Sequence, residues 1–372
     1  MPYYYSLFGV AILLGFFFAN PRFKLIVGSK SLESGKQKLV YLSFIFLFVF
    51  LLVGFRSYTV GADTYGYITQ YYYGVINGGI LFNKSPELII NIIIWVSHLI
   101  SKNYQLFLIL HAALVSILFL KYILDNSCNV FISCIIFIGM FFVPSMNLMR
   151  EWLAIGFGLN AETAIRKGNN KKGFFLLIMA ILSHLTAVCL FAIVIFDKIR
   201  NKKRAFWFFV VFALVFYLLR NRILNLVTVL VPRYYDYVYH DYFISESAFN
   251  IKDLIYIIIE LYYFYVIFRK KNTVDEDTIG EYYQDASFLL LAIVFSLCGQ
   301  RFGIVHRMVY YYSVFLISSL PKMIEKNRFR GLIHLALIIG MFVMLYRNSY
   351  WDNNNVANYS FFWQKASQVA FL

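Results

Sequence analysis

Residues 39–55 read LVYLSFIFLFVFLLVGF, seventeen residues without a charge, and Arg56-Ser57-Tyr58-Thr59-Val60-Gly61-Ala62-Asp63-Thr64-Tyr65-Gly66-Tyr67 follows at once. An apolar run of that length is close to what a helix needs to cross a hydrocarbon core of roughly 30 Å. Arg56 therefore falls where hydrocarbon gives way to water, and Asp63 comes one short loop later. Charged groups held at a membrane boundary are costly and usually carry function. The stretch reads as a membrane helix that delivers half of an active site to the outer face.

The rest of the chain repeats that pattern. Hydrophobic residues make up 61% of the 372 and charged residues 14%, against roughly 25% charged in a soluble domain. Apolar segments of about 15–20 residues recur throughout, near membrane-crossing length. Backbone polar groups in lipid must be satisfied within the segment, and no barrel-like alternation is visible, so these segments are helices. The expectation is an all-α polytopic membrane protein. It forms a single integral domain over residues 1–372, with about ten transmembrane helices and one or two re-entrant or interfacial segments.

The net charge of +15 does not indicate a nucleic-acid partner. The basic residues gather in short loops at 24–38, 166–172, 198–204 and 322–330. That is the positive-inside signature, which sets topology, and the partner it names is the lipid bilayer. Cys128, Cys134, Cys189 and Cys298 show no metal-ligand spacing and receive no role. The first run, Tyr3 to Ala19, lacks a basic leader and a small-residue cleavage site, so it reads as a retained helix.

Placing the basic loops inside gives the topology. Helix 1 (Tyr3 to Ala19) runs inward and helix 2 (Leu39 to Phe55) returns outward. Ser85-Pro86-Glu87 then opens a run of only thirteen residues, Leu88 to Ile100, which is short for a span and reads as re-entrant or interfacial. If it crossed, the basic 166–172 segment would be forced outside. With it uncrossed, Tyr104 to Tyr122 runs inward and Asn129 to about Pro144 outward. Leu148 to Ile165 then runs back in, which sets Arg150 near the outer end of its helix.

Gly173 to Ile199 is long for one plain span and short for two. A hairpin bent at Ser183-His184 satisfies the flanking charges, and one long tilted helix is the competing reading. Ala205 to Leu219 leads to the largest outer loop, Arg220 to Asn250. Ile251 to Phe268 returns, Ala286 to Cys298 goes out, Met308 to Leu320 comes back, and Leu332 to Tyr346 leaves an aromatic tail outside. Outer-face loops thus lie at about 56–103 and 220–250.

Arg56, Arg150, Arg301 and Arg307 come from four separate parts of the chain and all land at the outer boundary, with His306 beside the last of them. Positive-inside bias puts arginines on the other face, so these require a different explanation. A guanidinium fork binds phosphate oxygens in pairs, and several at the lipid–water boundary suit a lipid-linked diphosphate. The alternative for each is an ion pair with Glu87, Glu151 or Asp236, or a lipid headgroup. Asp63 is the candidate general base toward a sugar hydroxyl, with capping of a helix at Thr64 as the competing role. His184 is a second candidate base, or a hydrogen-bond donor to the diphosphate, against a plain interhelical bond.

The tyrosine-rich stretch at 232–243 suits sugar faces or the membrane interface. Asp236, His240 and Asp241 within it are candidate acceptor contacts, as are Tyr65 and Tyr67 of the first loop. Ala154, Gly158 and Ala161 read as small packing residues. No Walker A sequence, glycine-rich dinucleotide loop or Asp-x-Asp signature is present. Neither ATP-driven transport nor a nucleotide-sugar donor is expected, and no cofactor. No outer-face carboxylate cluster demands a metal.

These residues carry a resemblance. Gly54-Phe55-Arg56, followed by Val60-Gly61-Ala62-Asp63-Thr64-x-x-Tyr67, resembles the first outer loop of the EpsG family of Wzy-like polysaccharide polymerases. Pro86-Glu87 falls, in a less usual order, where that family has a short acidic-Pro motif. Arg150-x-x-Leu153-Ala154 resembles its Arg-x-x-Leu-Ala helix, with Glu151 where Gln is usual. Ser183-His184-Leu185-Thr186-Ala187 resembles its His-hydrophobic segment, and Arg307-x-x-x-Tyr311 its late Arg-x-x-x-Tyr motif.

The resemblance implies a membrane glycosyltransferase of the GT-C kind in a bacterial cytoplasmic membrane, acting at the outer, periplasmic face. Growing polymer would pass from an undecaprenyl-diphosphate carrier onto the non-reducing sugar of another lipid-linked repeat unit. Asp63 would be the base or would orient the acceptor, while Arg56, Arg150 and Arg307, with Tyr311, would hold the diphosphate. Implied partners are undecaprenyl-diphosphate-linked oligosaccharides and a chain-length regulator. Two other readings use the same donor: a lipid-linked oligosaccharide flippase or exporter, and an O-antigen ligase. An acyltransferase finds no His-x4-Asp arrangement to support it.

Overall fold

The apolar run at 39–55 is helical, as its composition requires, and forms most of a helix over Ser34–Gly54. It belongs to a computed structural model that describes residues 2–19, 26–27, 30–31, 34–81, 87–199, 203–230, 251–270, 276–299, 303–325, 327–350 and 355–364. The chain packs as two units, Met1–Val188 with Ile317–Leu372, and Cys189–Leu316.

The first unit opens with α1 (Pro2–Leu14), prolonged by a π-turn at Gly15–Ala19. A two-residue ladder follows, β1 (Ile26–Val27) against β2 (Lys30–Ser31), then α2 (Ser34–Gly54). Helix α3 runs through Thr64–Gly66, Tyr67–Tyr72 and Tyr73–Gly78, its middle stretch wound as a π-helix. Next come α4 (Leu88–Ile100), α5 (Gln105–Asn126), α6 (Val130–Asn147), α7 (Met149–Arg166) and α8 (Asn170–Ser183).

Asparagines start three of these helices by satisfying otherwise orphaned N–H groups. Asn103 Oδ1 accepts from the Gln105 N–H at 2.9 Å, Asn129 from Ile132 at 3.1 Å and Asn169 from Lys172 at 3.2 Å. Gly168, at φ +77°, supplies the left-handed residue that ends α7. Helix α8 then packs closely along α7. Gly173 permits that approach, because a Cβ there would lie 2.3 Å from Ile165 Cγ1. The expected packing residues Ala154, Gly158 and Ala161 are all buried.

In the second unit the chain continues through α9 (Ala192–Ile199), α10 (Lys203–Leu218), α11 (Arg220–Leu230), α12 (Ile251–Lys270), α13 (Glu276–Gly299), α14 (Gly303–Arg307) and α15 (Val309–Ser313). Its interior is aromatic: Phe288 stacks on Phe315 at 4.1 Å and Tyr312 on Phe295 at 5.8 Å. The last two helices are α16 (Leu316–Glu325) and α17 (Arg330–Tyr350).

Two expectations are corrected here. The loop expected from Arg220 begins with a helix over Arg220–Leu230, whose Ile223, Leu226, Val227 and Leu230 recur at helical spacing. The single helix expected over Met308 to Leu320 is broken into pieces. Its ladder slips to i→i+3 bonds at Tyr311 N→Met308 O and Phe315 N→Tyr312 O, each 3.2 Å, a tightening that interrupts a regular helix. At His184, by contrast, the chain leaves α8 in an extended conformation (φ −158°, ψ 129°), so the break falls where a bend was expected.

Five helices among the described residues are long and apolar enough to cross a membrane: Gly35–Gly54, Gln105–Asn126, Val130–Asn147, Thr278–Gly299 and Arg330–Tyr350. The protein is an all-α, multi-pass membrane protein. The other expected spans do not meet that measure of length and charge among the described residues. Helix α7 carries Arg150, Glu151, Glu162 and Arg166, and α10 has sixteen residues.

Residues 355–364 pair with the loop after α2. Main-chain bonds join Ser57 N to Ser360 O (2.8 Å), Gly61 N to Asn355 O (3.1 Å) and Phe362 N to Phe55 O (3.0 Å). Tyr359 Oη adds a bond to Leu52 O at 2.9 Å, and Tyr4 Oη one to Val356 O at 2.8 Å. Loop and tail thus hold each other's backbone.

Candidate functional site

The loop after α2 turns on Gly61 (φ +95°), where a Cβ would press on Thr64 Oγ1 at 2.6 Å. Arg56 fills the space under this turn and is completely buried. Its Nε donates to Val60 O at 3.3 Å, and its Nη1 donates to Val53 O. Its Nη2 donates to Met146 O at 3.0 Å and Thr64 Oγ1 at 3.4 Å. Burial pulls the guanidinium down to about 10, while the nearby tyrosines Tyr359, Tyr4 and Tyr67 act in the other direction. It remains charged at neutral pH. Every nitrogen is aimed at the protein's own oxygens, so Arg56 braces the loop here, and the diphosphate role expected of it finds no nitrogen left over.

Arg150 sits in a different environment. It stands in the first turn of α7 and leans on the π-wound stretch of α3. Tyr67 and Tyr71, four residues apart, share one face there, their ring centroids 5.6 Å apart. Arg150 Nε donates to Tyr67 Oη at 3.2 Å and Nη1 to Tyr71 Oη at 2.6 Å. The guanidinium carbon lies over both rings, 5.3 Å and 4.6 Å from their centroids, within cation–π range. Nη1 also pairs with Glu87 Oε2.

Glu87 lies at the N-terminal end of α4 and makes no side-chain cap bond to it. Its carboxylate instead joins two cations or potential cations. Oε2 meets Arg150, and Oε1 lies 2.8 Å from His184 Nδ1. Burial alone would raise the Glu87 carboxyl. The His184 hydrogen bond and the Arg150 charge outweigh it and hold the group down to about 2. His184, at the end of α8, also turns Nε2 toward Glu151 Oε1 at 3.6 Å. The result is a guanidinium, an imidazole and two carboxylates gathered from α4, α7 and the end of α8, with two phenols from α3. Only 15% of the Arg150 side chain and 14% of His184 are exposed.

Asp63 precedes α3, yet its side chain makes no cap bond to that helix, which removes the competing capping role. Its N–H is fixed by Asn147 Oδ1 at 2.7 Å, and the residue is half-buried. Burial raises the Tyr67 phenol, and that phenol also responds to the charges of Arg150, Glu151 and Asp63. Asp63 therefore lies within electrostatic reach of the same hydroxyl that Arg150 binds. Tyr65 is exposed.

In the second unit His306 is half-buried, Arg307 exposed and Tyr311 buried. Arg301, Asp236, His240 and Asp241 lie outside the described residues. Sequence reasoning read Glu87 as part of a helix start, of the acidic-Pro motif and as a competing ion-pair partner, and gave neither Glu87 nor Tyr71 a place in the site. The signals were there: a carboxylate next to Pro86, and tyrosines at i and i+4. No group of three or more His, Cys, Asp or Glu among the described residues could hold a metal.

A family model described as the EpsG family matches residues 39–362. No curated protein and no solved structure matches the chain.

Proposed function

The chain belongs to the EpsG family, a Wzy-like polymerase family, and on that premise we propose that it is a surface-polysaccharide polymerase. It moves a glycan from an undecaprenyl-diphosphate carrier to the non-reducing sugar of another lipid-linked unit at the outer face of the cytoplasmic membrane. The observation that supports this best is the setting of Arg150. It is a near-buried guanidinium held by side chains, which can rotate away to admit phosphate oxygens.

In this reading the bond between the sugar's anomeric carbon and the diphosphate breaks, and the diphosphate leaves with the electron pair. The acceptor hydroxyl oxygen forms the new bond, and its proton passes to Asp63. Asp63 is the better base because both nitrogens of His184 already face carboxylates. His184 keeps Nδ1 on Glu87. Its Nε2, only loosely held at 3.6 Å from Glu151, turns to donate to the leaving diphosphate beside Arg150, which stabilises the developing charge. Arg307 keeps its diphosphate role on the strength of its Arg-x-x-x-Tyr motif, and Tyr65 and Tyr67 remain proposed acceptor contacts.

The test is to reconstitute the full chain in vesicles with purified lipid-linked repeat units. A ladder of products is expected, lost in Asp63→Asn. Products of a single unit only would overturn the proposal. In cells lacking the protein, a surface glycan of one repeat is expected. Loss of every surface unit would identify a flippase instead, and normal polymer left off its final carrier a ligase.

A further inference from the structure

The other end of α7 carries a second concentration of polar groups that the polymerase reading does not use. From Arg150 to Ala164 the helix advances roughly 20 Å, so this region is remote from the candidate diphosphate site. Here α5, α7 and α8 enclose a groove of about 370 Å³, lined by Lys121, Asp125, Asn160, Thr163, Lys167 and Lys172. Leu118 and Leu176 give it an apolar wall.

The charges do not cancel within the groove. Lys121 Nζ pairs with Asp125 at 2.6 Å, and both are partly exposed. Arg166, just beside the groove, is engaged by Glu162 at 3.5 Å and by Asn126 Oδ1. Lys167 and Lys172 have no carboxylate partner among the described residues. Both flank the N-terminus of α8, whose positive dipole end adds to theirs.

Asn160, also in the groove lining, is 6% exposed. Its Nδ2 donates to Leu118 O at 3.0 Å and Gly156 O at 2.9 Å, while its Oδ1 receives no hydrogen bond. A buried amide oxygen without a donor is an unusual vacancy in a folded protein. Thr163 cannot fill it, because its hydroxyl already donates to Leu159 O and accepts from Asn126.

The two lysines thus ask for an anion, Asn160 Oδ1 for a hydroxyl donor, and the two leucines for hydrocarbon. We infer that this groove binds a phosphate ester bearing a free hydroxyl, the chemistry of a glycerophosphate headgroup. Lys167 and Lys172 take the phosphate, Asn160 Oδ1 the hydroxyl, and Leu118 and Leu176 the start of an acyl chain. Basic pockets between membrane helices are suited to anionic headgroups.

The test uses full-length protein in neutral detergent, with short-chain phosphatidylglycerol as probe and native mass spectrometry or a thermal shift as readout. Saturable one-to-one binding is expected, weakened about tenfold by Lys167→Gln/Lys172→Gln. Lys171→Gln/Lys198→Gln removes the same charge outside the groove lining and should bind like the wild type. Short-chain phosphatidylcholine should not compete. If inorganic phosphate displaces the lipid at similar potency, the phosphate alone is recognised and a soluble phosphate shares the site. Undiminished binding by the groove variant would overturn the inference, as would equal weakening of both variants. Because the readout is binding, it does not depend on whether the chain polymerises sugars.

Discussion

Arg56 and Arg150 both stand at an end of an apolar helix, and the sequence gives them the same task. The structure separates them by their acceptors. Arg56 faces three main-chain carbonyls and a threonine hydroxyl, with no exposed surface. Arg150 faces Glu87, Tyr67 and Tyr71, all through side chains. Carbonyls are fixed by the fold and cannot be exchanged for phosphate without undoing the loop. Side chains can turn away. Which oxygens an arginine meets, more than where it lies along the chain, distinguishes a brace from a binding group.

The strongest way to break that comparison is to truncate each arginine and measure protein and product together. Arg150→Ala should lower polymer formation by roughly a thousandfold, as loss of a group stabilising the leaving charge does. The amount of inserted protein should stay near wild type. Arg56→Ala should act the other way. It strips donors from buried carbonyls at a cost of about 1–3 kcal/mol each, and most of the protein should disappear from the membrane on an immunoblot. An Arg56→Ala protein present in full amount but making no polymer would return both arginines to one role.

Glu87 sharpens the same point, because it occupies Arg150 in the way a phosphate would. Glu87→Gln should lower KM for the lipid-linked donor, since a neutral amide competes less for the guanidinium. It should also lower kcat by about tenfold or more, since His184 loses the carboxylate that orients it. An unchanged KM would show that Glu87 is not displaced during turnover.

The substitution has a pH signature as well. The folded carboxyl is held near 2, below its ordinary value of 4.5, so its ionised form stabilises the fold at all pH above about 4.5. That contribution is lost as pH falls from there through about 2. Wild-type Tm should drop across this window, and Glu87→Gln should drop less.

How much of this was legible beforehand follows from which forces leave a trace in sequence. The bounds of α4 were readable to the residue, because a Ser-Pro-Glu start and an abrupt end to the apolar run mark both termini. The break at His184 was readable from charge on both flanks. The pairing of Arg150 with Glu87 was visible only as one of several alternatives, since local sequence does not say which distant carboxylate a cation meets. The docking of residues 355–364 onto the loop was not readable at all. It runs through main-chain bonds such as Ser57 N to Ser360 O, which any residue other than proline can make.

A smaller effect tests how tightly the brace is built. Gly61→Ala adds a Cβ at φ +95°, 2.6 Å from Thr64 Oγ1 and 3.1 Å from Met146 O. Those two oxygens are acceptors of Arg56, so the strain of about 1–3 kcal/mol falls on the brace itself. Tm should fall by several degrees. Polymer made per folded molecule should fall only a fewfold, because the Arg150 cluster shares none of these contacts while Asp63, held by Asn147 beside Met146, shifts with the turn.

The smallest effect belongs to the tail. Tyr359→Phe removes the hydroxyl that donates to Leu52 O while keeping the ring against Tyr3, Tyr4 and Phe361 at 5.2–5.6 Å. One hydrogen bond is worth about 0.5–1.5 kcal/mol, so Tm should fall by a degree or two with normal polymer length. Yet Leu52 and Val53, whose carbonyls accept from Tyr359 and Arg56, are neighbours at the end of α2. If tail and brace act as one unit, Tyr359→Phe combined with Gly61→Ala should cost more than the two changes added separately. Strict additivity would mean that the tail merely rests on a loop that Arg56 already holds.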